Sequence, residues 1–319
     1  MKALRFEKTG DVKNLELVEL PVPKPAAGEV LVQVKAGGLN QSDVSNVLGK
    51  HPHTTLPRTP GRDFAGVVIE GPAHLKGRAV WGSGREFGFT RDGSHAEYLC
   101  AGVDAVAIKP ESLSFGQAAS CGVPYTTALS ALERCNVAQG TKLLVIGAAG
   151  AVGSAAVAIA RSRGALVLGA VRHAEQAAHL AERGVRAIVI TDDKSLAEAK
   201  AVFTGGAEVV FDTTGAWLAQ AIGVIATYGR IGVIVAPADG KVVVPVRDLY
   251  RRAATVIGTN STLFSGAECA RLLSQMGEAF NAGTLAPPPQ PQERPLEEGV
   301  AVYAEVNKAR HGKIVFVNP

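Results

Sequence analysis

Residues 142–173 constrain the fold of this chain more than any other stretch. Their sequence is KLLVIGAAGAVGSAAVAIARSRGALVLGAVRH. The pattern predicts a buried strand at 143–146, a turn of small residues at 147–153, a helix at 154–163 and a second buried strand at 165–171. Because strands joined through a helix lie parallel in one sheet, the segment predicts an α/β fold with a doubly wound parallel sheet.

The turn has the chemistry that the pyrophosphate of a dinucleotide requires. Ala148, Gly150 and Gly153 occupy the positions of a glycine fingerprint, with alanine in place of the usual first glycine. Small residues let the backbone approach the phosphates, and the next helix offers free N–H groups, here around Ala151 and Val152. We predict a dinucleotide site. The alternative is a glycine-rich turn that binds nothing.

The end of the second strand favours one cofactor. Proteins that bind NAD(H) place Asp or Glu there to hold the ribose hydroxyls. This chain has Val171, Arg172 and His173 instead. A guanidinium pairs well with a 2′-phosphate, so the sequence favours NADPH. The alternative is that Arg172 is only a solvated surface residue.

Composition bounds the class of protein. The chain has 319 residues, enough for one large or two medium domains, and 47% of them are hydrophobic. The net charge of +4 comes from scattered basic residues, which gives no support to a nucleic-acid partner. The N-terminus resembles no targeting peptide and no apolar run reaches about 18 residues, so we expect a cytoplasmic protein without a membrane partner.

The cysteines do not form a recognisable framework. Their spacings match neither a zinc site nor a disulfide set, so we expect buried free thiols at Cys100, Cys121, Cys135 and Cys269. Cys121 has no activating base beside it in the sequence, and we interpret it as a packing residue.

The pattern of predicted secondary structure changes along the chain. Residues 1–121 are rich in strand patterns, and residues 122–260 alternate between helix and strand. The alternating part opens on a predicted helix with Pro124 in its first turns. Residues 261–319 predict helices at 265–282 and 296–309, a proline-rich loop between them and a final strand.

Further motifs resemble the medium-chain dehydrogenase/reductase superfamily. They are the loop at 39–43, PGRDFAGVV at 60–68, DGSHAEY at 92–98, Gly229-Arg230 and HGKIV at 311–315. They follow in the family's order over nearly the whole chain. The resemblance implies a GroES-like β-barrel catalytic domain at 1–121, a Rossmann NADP(H)-binding domain at 122–260, and a C-terminal return to the catalytic domain at 261–319.

Two departures from the family pattern indicate the subfamily. Zinc alcohol dehydrogenases have a cysteine where this chain has Asn40 and a histidine where it has Arg62. An amide and a guanidinium cannot provide the three ligands that catalytic zinc needs. The chain is therefore similar to the zinc-free quinone oxidoreductases and the related enoyl reductases, with no metal site expected.

This absence of zinc ligands constrains the expected chemistry. Oxidation of an alcohol needs a group that stabilises the developing alkoxide. Hydride addition to a quinone or an α,β-unsaturated carbonyl delocalises the charge, so we expect an NADPH-dependent quinone or alkene reductase. Two alternatives stay open: an enoyl thioester or 2-haloacrylate-type reductase, and an NADPH-binding sensor or structural protein with little turnover.

The resemblance implies three candidate catalytic residues. Asn40 would hydrogen-bond cofactor or substrate and Asp43 would orient it, although both residue types also cap turns. His51 stands where enoyl thioester reductases have a proton-donating tyrosine. It could donate a proton near neutral pH or be an exposed loop residue.

The candidate cofactor residues come from the glycine turn and from the ends of the later strands. Beyond strand ends is where ligands bind in open α/β sheets. Tyr125 is a further candidate, with core packing as its alternative. The predicted cofactor-binding set is Asn40, Thr127, Ala148, Gly150, Ala151, Val152, Gly153, Arg172, His173, Thr213, Val235, Ala236, Thr259, Asn260, Ser261 and Lys313.

The expected partners are a small-molecule quinone or activated alkene and further copies of the chain. The resemblance implies a homodimer or homotetramer. GRIGVIVAP at 229–237 and ATVIGTN at 254–260 are plausible edge strands for such an assembly.

Overall fold

The computed structural model describes residues 1–192, 194–308 and 312–318. The chain forms two compact units, one of Met1–Thr126 with Ser261–Pro319 and one of Thr127–Asn260. None of the helices in the described ranges combines the length and apolar composition that crossing a bilayer requires.

The first unit is built mainly of antiparallel strands. Its N-terminal part contains β1 (Lys2–Phe6), β2 (Leu15–Glu19), β3 (Glu29–Leu39), α1 (Gln41–Val47), β4 (Asp63–Glu70), β5 (Ala79–Gly82), β6 (Tyr98–Gly102), β7 (Ala107–Ile108) and the start of α2 (Phe115–Arg134). The long strand β3 pairs antiparallel with both β4 and β6. The loop that follows β3 is therefore anchored on a strand with neighbours on both sides.

The second unit is a parallel sheet with helices between its strands. Its elements are β8 (Lys142–Ile146), α3 (Ala151–Ser162), β9 (Leu166–Val171), α4 (Ala174–Glu182), β10 (Arg186–Val189), α5 (Ala199–Val202), β11 (Ala207–Asp212), α6 (Leu218–Val224), β12 (Ile225–Val233), α7 (Val246–Arg251) and β13 (Thr255–Gly258). The strand order is β10-β9-β8-β11-β12-β13, with every pair parallel. The predicted doubly wound parallel sheet is confirmed.

The chain then returns to the first unit. It adds α8 (Gly266–Asn281), β14 (Gln292–Pro295), α9 (Gly299–Lys308) and β15 (Ile314–Val317). Strand β15 pairs antiparallel with β3, and Ile314 lies opposite Leu39. This register places Lys313 beside the loop that opens α1. The predicted helix end at Ala309 and the motif residue His311 lie outside the described residues.

Three details of the sequence-based fold are wrong. Pro124 is the tenth residue of α2 and does not lie in its opening turns, because Ser114 and Gln117 exchange hydrogen bonds that start the helix at Phe115. Tyr125 and Thr127 are therefore mid-helix residues.

The other two corrections concern strands. Part of the predicted proline-rich loop is strand β14, which pairs with β15 at the sheet edge, where proline is tolerated. Strand β13 is an edge of the parallel sheet, as expected of residues 254–260. Strand β12, within residues 229–237, is internal because β11 and β13 flank it.

Candidate functional site

The loop after β3 presents the amide side chain of Asn40. Its backbone N–H donates to Asp43 Oδ2 over 2.8 Å, which fixes the start of α1. Its side chain points elsewhere: Nδ2 donates to Asp63 Oδ2 over 2.9 Å, and Oδ1 accepts from Lys313 Nζ over 2.7 Å. The structure thus brings together three predicted site residues, Asn40, Asp43 and Lys313.

Asp63 holds this group together, although it is not among the site residues predicted from the sequence. Its carboxylate is fully buried. Oδ1 accepts from Ser83 Oγ and from the backbone N–H of Val123, each over 2.8 Å. Oδ2 accepts from Asn40 and lies 3.5 Å from Lys313 Nζ. The available signal was the aspartate of the PGRDFAGVV motif, an acid that directly precedes the apolar run FAGVV.

Asp43 is a second buried carboxyl in the same group. Burial raises its pKa to about 7, and the nearby charge of Asp63 acts in the same direction. Oδ1 is enclosed and has no hydrogen-bond partner within the described residues. A carboxyl with this pKa exchanges its proton near neutral pH, so Asp43 is chemically able to hold or release one.

His95 and Tyr303 form a buried hydrogen-bonded pair beside the end of β3. Burial lowers the pKa of His95 to about 3, so the ring is neutral. Its Nε2 donates to the Gly38 carbonyl over 3.2 Å, and its Nδ1 accepts from the Tyr303 hydroxyl over 2.8 Å. The pair fixes the backbone two residues before Asn40.

His51 packs edge-on against the rings of Phe89 and His53. Its ring lies 5.0 Å from the Phe89 ring and 5.8 Å from the His53 ring. Burial lowers the pKa of His51, and the charges of His53 and Arg62 add to this effect. Less of the ring carries the donating proton at pH 7 than in an ordinary histidine, which weakens the case for His51 as the proton donor.

Arg62 is buried beside these groups. Its Nε donates to the Gly84 carbonyl over 3.1 Å and its Nη2 to the Ser261 carbonyl over 2.8 Å. Ser261, a predicted cofactor residue, thus contributes a backbone acceptor to Arg62. Across the described ranges, His, Cys, Asp and Glu form no cluster of three that could hold a metal ion.

The glycine turn of the second unit has the tight geometry that a phosphate cradle needs. Gly147 has φ +77°, and a Cβ atom on Gly153 would lie 2.1 Å from the Gly147 carbonyl oxygen. Gly150 caps α3, so the first N–H groups of the helix, at Ala151, Val152 and Gly153, lack partners from a preceding turn. These groups fit the pyrophosphate of a dinucleotide.

Arg172 and His173 follow β9 directly. Both are exposed, and both backbone N–H groups donate to Gln176 Oε1. This arrangement starts α4 and leaves the guanidinium at the surface. Arg172 is therefore available to a ligand at the carboxyl end of β9.

The remaining predicted cofactor residues lie at the ends of later strands or on α2. The Thr213 hydroxyl donates to the Ile146 carbonyl over 2.8 Å, which ties β11 to β8. Thr259 donates its backbone N–H to Val233, and its buried hydroxyl has no partner within the described residues. Val235 and Ala236 follow β12, and Asn260 follows Thr259.

The two candidates on α2 differ in their surroundings. Tyr125 packs against the ring of Phe280, with centroids 5.7 Å apart. Thr127 is buried, and its hydroxyl is unpartnered within the described residues. The four cysteines are free thiols as predicted, with Cys100 only half-buried, and burial raises the pKa of the Cys121 thiol.

Family models match both parts of the chain. The alcohol dehydrogenase GroES-like domain matches residues 26–111, and the zinc-binding dehydrogenase model matches residues 151–277. These matches confirm the predicted combination of a GroES-like domain with a cofactor-domain fold.

Individual proteins match over most of their length. The chain is 38% identical to a zinc-type alcohol dehydrogenase-like protein of Schizosaccharomyces pombe, over 89% of this chain and 86% of the relative. It is 31% identical to a quinone oxidoreductase of Homo sapiens, with the same coverage. A crystal structure of an NAD-dependent alcohol dehydrogenase superposes with a TM-score of 0.88 at 26% identity, covering 100% of both chains.

Proposed function

The chain belongs to the quinone oxidoreductase-like subfamily of the medium-chain dehydrogenase/reductases, and on that basis we propose a specific activity for this oxidoreductase. The proposed reaction is a zinc-independent transfer of hydride from NADPH to a quinone or to an alkene activated by a carbonyl. One observation carries the proposal: the Asn40 amide is held between the Lys313 ammonium and the Asp63 carboxylate.

This arrangement uses the Asn40 side chain for hydrogen bonding where zinc dehydrogenases would place a thiolate. An amide with one N–H and one lone pair committed keeps one further N–H and one further lone pair for a ligand. Arg62 replaces a second ligand with a cation, which repels Zn²⁺. The donor set therefore suits an organic cofactor or substrate and disfavours catalytic zinc.

Two features support NADPH as the cofactor. The turn at 147–153 packs this tightly only because Gly153 lacks a side chain, and a tight turn of small residues lets the backbone approach a pyrophosphate. Arg172 and His173 stand exposed at the carboxyl end of β9, where an acid would otherwise bind the ribose of NAD(H). We propose that the Arg172 guanidinium pairs with the 2′-phosphate. When bound, the nicotinamide supplies the hydride.

The name of the human relative, a quinone oxidoreductase, supports the substrate class. A quinone or conjugated carbonyl spreads the incoming negative charge onto oxygen, so no metal is needed to stabilise it. The protein's tasks are then to bind, to orient and to exclude water. Asn40 and Lys313 orient the ligands, and Asp43 holds or releases a proton.

We also propose that the protein forms a homodimer or homotetramer through β13. This strand is an edge of the parallel sheet, and Val256 on it is 37% exposed. Tyr250 on α7 and Tyr228 on β12 are 65% and 76% exposed, so large apolar side chains surround the edge. A lysine at Val256 should reduce the molar mass in light scattering, whereas Leu17→Lys, at an equally exposed position, should not. An unchanged mass for Val256→Lys would contradict this interface.

The first experiment measures NADPH consumption with an ortho-quinone, a para-quinone, an enal and an enoyl thioester, and NADP⁺ reduction with a primary alcohol. EDTA is present in every reaction. We expect turnover of a quinone or the enal. Turnover of the thioester alone would favour an enoyl thioester reductase, and NADPH binding without turnover would favour a binding protein. Alcohol oxidation that EDTA abolishes would show that the zinc argument is wrong.

A further inference from the structure

Arg62 carries a positive charge into the interior of the first unit. Its side chain is 1% exposed, and its guanidinium lies 5.9 Å from the centre of the Phe89 ring. Two of its nitrogens are fixed by backbone carbonyls, those of Gly84 and Ser261. The side chain is therefore held in one orientation by neutral acceptors from two different segments.

The third nitrogen of this guanidinium, Nη1, is enclosed and makes no hydrogen bond to a described residue. The described residues form nine ion pairs, and Arg62 takes part in none of them. A buried cation without a counter-ion costs several kcal/mol, on the order of the penalty for breaking a buried pair. A buried N–H without an acceptor adds to that cost.

The guanidinium charge of Arg62 lies close to the candidate catalytic groups. Its positive charge contributes to the lowered pKa of the His51 ring, and it opposes, without reversing, the rise in the pKa of the Asp43 carboxyl. Oδ1 of Asp43 is also buried and unpartnered within the described residues. Half-buried His51 packs on Phe89, and Phe89 packs on Arg62. The Phe89 ring thus lies between the half-buried His51 and the guanidinium of Arg62.

We propose that Arg62 is a further catalytic residue, whose Nη1 binds the carbonyl oxygen of the substrate and stabilises the negative charge that develops there. The inference rests on the proposed function and deepens it. As the β-carbon of the substrate accepts the hydride, the alkene pair moves to the bond between the α-carbon and the carbonyl carbon. The carbonyl pair moves to oxygen, which gives an enolate, and a proton from water then adds at the α-carbon. A quinone that accepts the hydride becomes a hydroquinone monoanion, and a proton from water then adds to its oxygen.

This role explains why a buried cation is retained that forms no ion pair among the described residues. The substrate oxygen becomes a directly bonded negative partner only during the reaction, so the charge is more favourable in the transition state than in the free protein. The two backbone carbonyls keep the guanidinium oriented before substrate arrives. The site thus replaces the Lewis acid of a metal enzyme with a fixed hydrogen-bonding cation.

The kinetic test compares Arg62→Met, which removes the charge, with Arg62→Lys, which retains it. Arg78→Met is the control, because Arg78 is an exposed arginine in the same unit. We expect Arg62→Met to lower kcat roughly a hundredfold to a thousandfold for the quinone or enal. The Kd for NADPH should stay within about twofold, and Arg62→Lys should recover part of the loss. Equal kcat values for wild type and Arg62→Met would overturn the proposal.

A binding test does not depend on turnover. 4-Nitrophenol is the probe, because its phenolate is a delocalised oxyanion with its own visible absorbance. At a pH just below the pKa of the free probe, we expect wild-type protein, with or without NADP⁺, to increase the phenolate band. Arg62→Met should abolish that increase, and Arg78→Met should preserve it. An increase that persists in Arg62→Met would overturn the proposal.

The two tests separate this inference from the proposed function. If wild type neither binds NADPH nor reduces any substrate, the proposed function fails, while the phenolate experiment still reports on Arg62. Circular dichroism checks the fold of each variant. If Arg62→Met does not fold, Arg62→Lys decides: phenolate binding equal to wild type after loss of the planar Nη1 donor would contradict the assignment.

Discussion

The ammonium nitrogen of Lys313 lies 2.7 Å from Oδ1 of Asn40, although 273 positions separate the two residues in the chain. The contact exists because β15 pairs with β3 so that Ile314 lies opposite Leu39. Asp63 lies at the start of β4, on the other side of β3, and accepts a hydrogen bond from Nδ2 of Asn40. A strand pairing between the two ends of the first unit therefore orients the amide of Asn40.

Replacement of Lys313 by Met should destabilise the protein and disorder this amide. Asp63 would lose its only cationic partner within the described ion pairs and stay fully buried. We expect the free energy of unfolding to fall by about 1–3 kcal/mol. Urea unfolding measures it, with Lys308→Met as the control, since Lys308 is exposed on α9.

A double-mutant cycle with Asp63→Asn tests whether the two residues act together. The double variant should lose less stability than the sum of the two single losses. Each single variant leaves one buried partner without the other, and that unpaired group destabilises the fold. Strictly additive losses would show that Lys313 and Asp63 are not coupled.

Asp43 should make stability depend on pH in a defined direction. Its pKa is about 7 in the folded protein against an ordinary 3.8, so between these values the folded state binds more protons than the unfolded state. The free energy of unfolding therefore falls as the pH rises from about 4 to about 7, on the order of 1.4 kcal/mol for each unit of raised pKa.

His95 opposes this trend, so the measurement has to be a difference. Its pKa is about 3 in the folded protein against 6.5, and its contribution is lost as the pH falls through that range. The contribution of His95 cancels when the free energy of unfolding of wild type is subtracted from that of Asp43→Asn. We expect this difference to grow from pH 4 to pH 7 and then level off. A difference that does not vary with pH would contradict the raised pKa.

The sequence predicted the parallel sheet well because its signals are local. The strand–turn–helix–strand pattern at 142–171 lies within one continuous segment, and the bounds of β8, α3 and β9 differ from prediction by three residues or fewer. Each element there follows from periodicity and from its neighbours in the chain.

The candidate site was predicted only in part because its contacts are distant in sequence. The roles of Asp63 and Arg62 depend on Ser83, Val123, Ser261 and Lys313, between 20 and 250 residues away. No local pattern reports such pairings. Strand β14 was missed for the same reason, since its partner β15 alone makes residues 292–295 extended.

Replacement of Gly153 by Ala should damage the turn of the second unit. The added Cβ would lie 2.1 Å from the Gly147 carbonyl oxygen and 2.9 Å from Ala148 Cα, and neither is a side chain that could rotate away. We expect a lower melting temperature and at least a tenfold weaker Kd for NADPH in a fluorescence titration, roughly 1.4 kcal/mol. Gly223→Ala in α6, with nothing within 4 Å of the new atom, is the control. Wild-type affinity in Gly153→Ala would show that this turn does not contact the cofactor.

Replacement of Arg172 by Ala should change the preference between the two nicotinamide cofactors. The guanidinium is exposed at the end of β9 and its loss disturbs no packed contact, so stability should stay nearly constant. A charged hydrogen bond to a 2′-phosphate is worth about 1.5–3 kcal/mol, so the Kd for NADPH should rise roughly tenfold to a hundredfold. The Kd for NADH should not change, because NADH has no phosphate for Arg172 to bind. Arg186→Ala, an exposed arginine on neighbouring β10, is the matched control and should alter neither constant. Isothermal titration of both cofactors against all three proteins measures the effect. Equal weakening of NADPH and NADH by Arg172→Ala would mean that this residue supports the turn and does not recognise the phosphate.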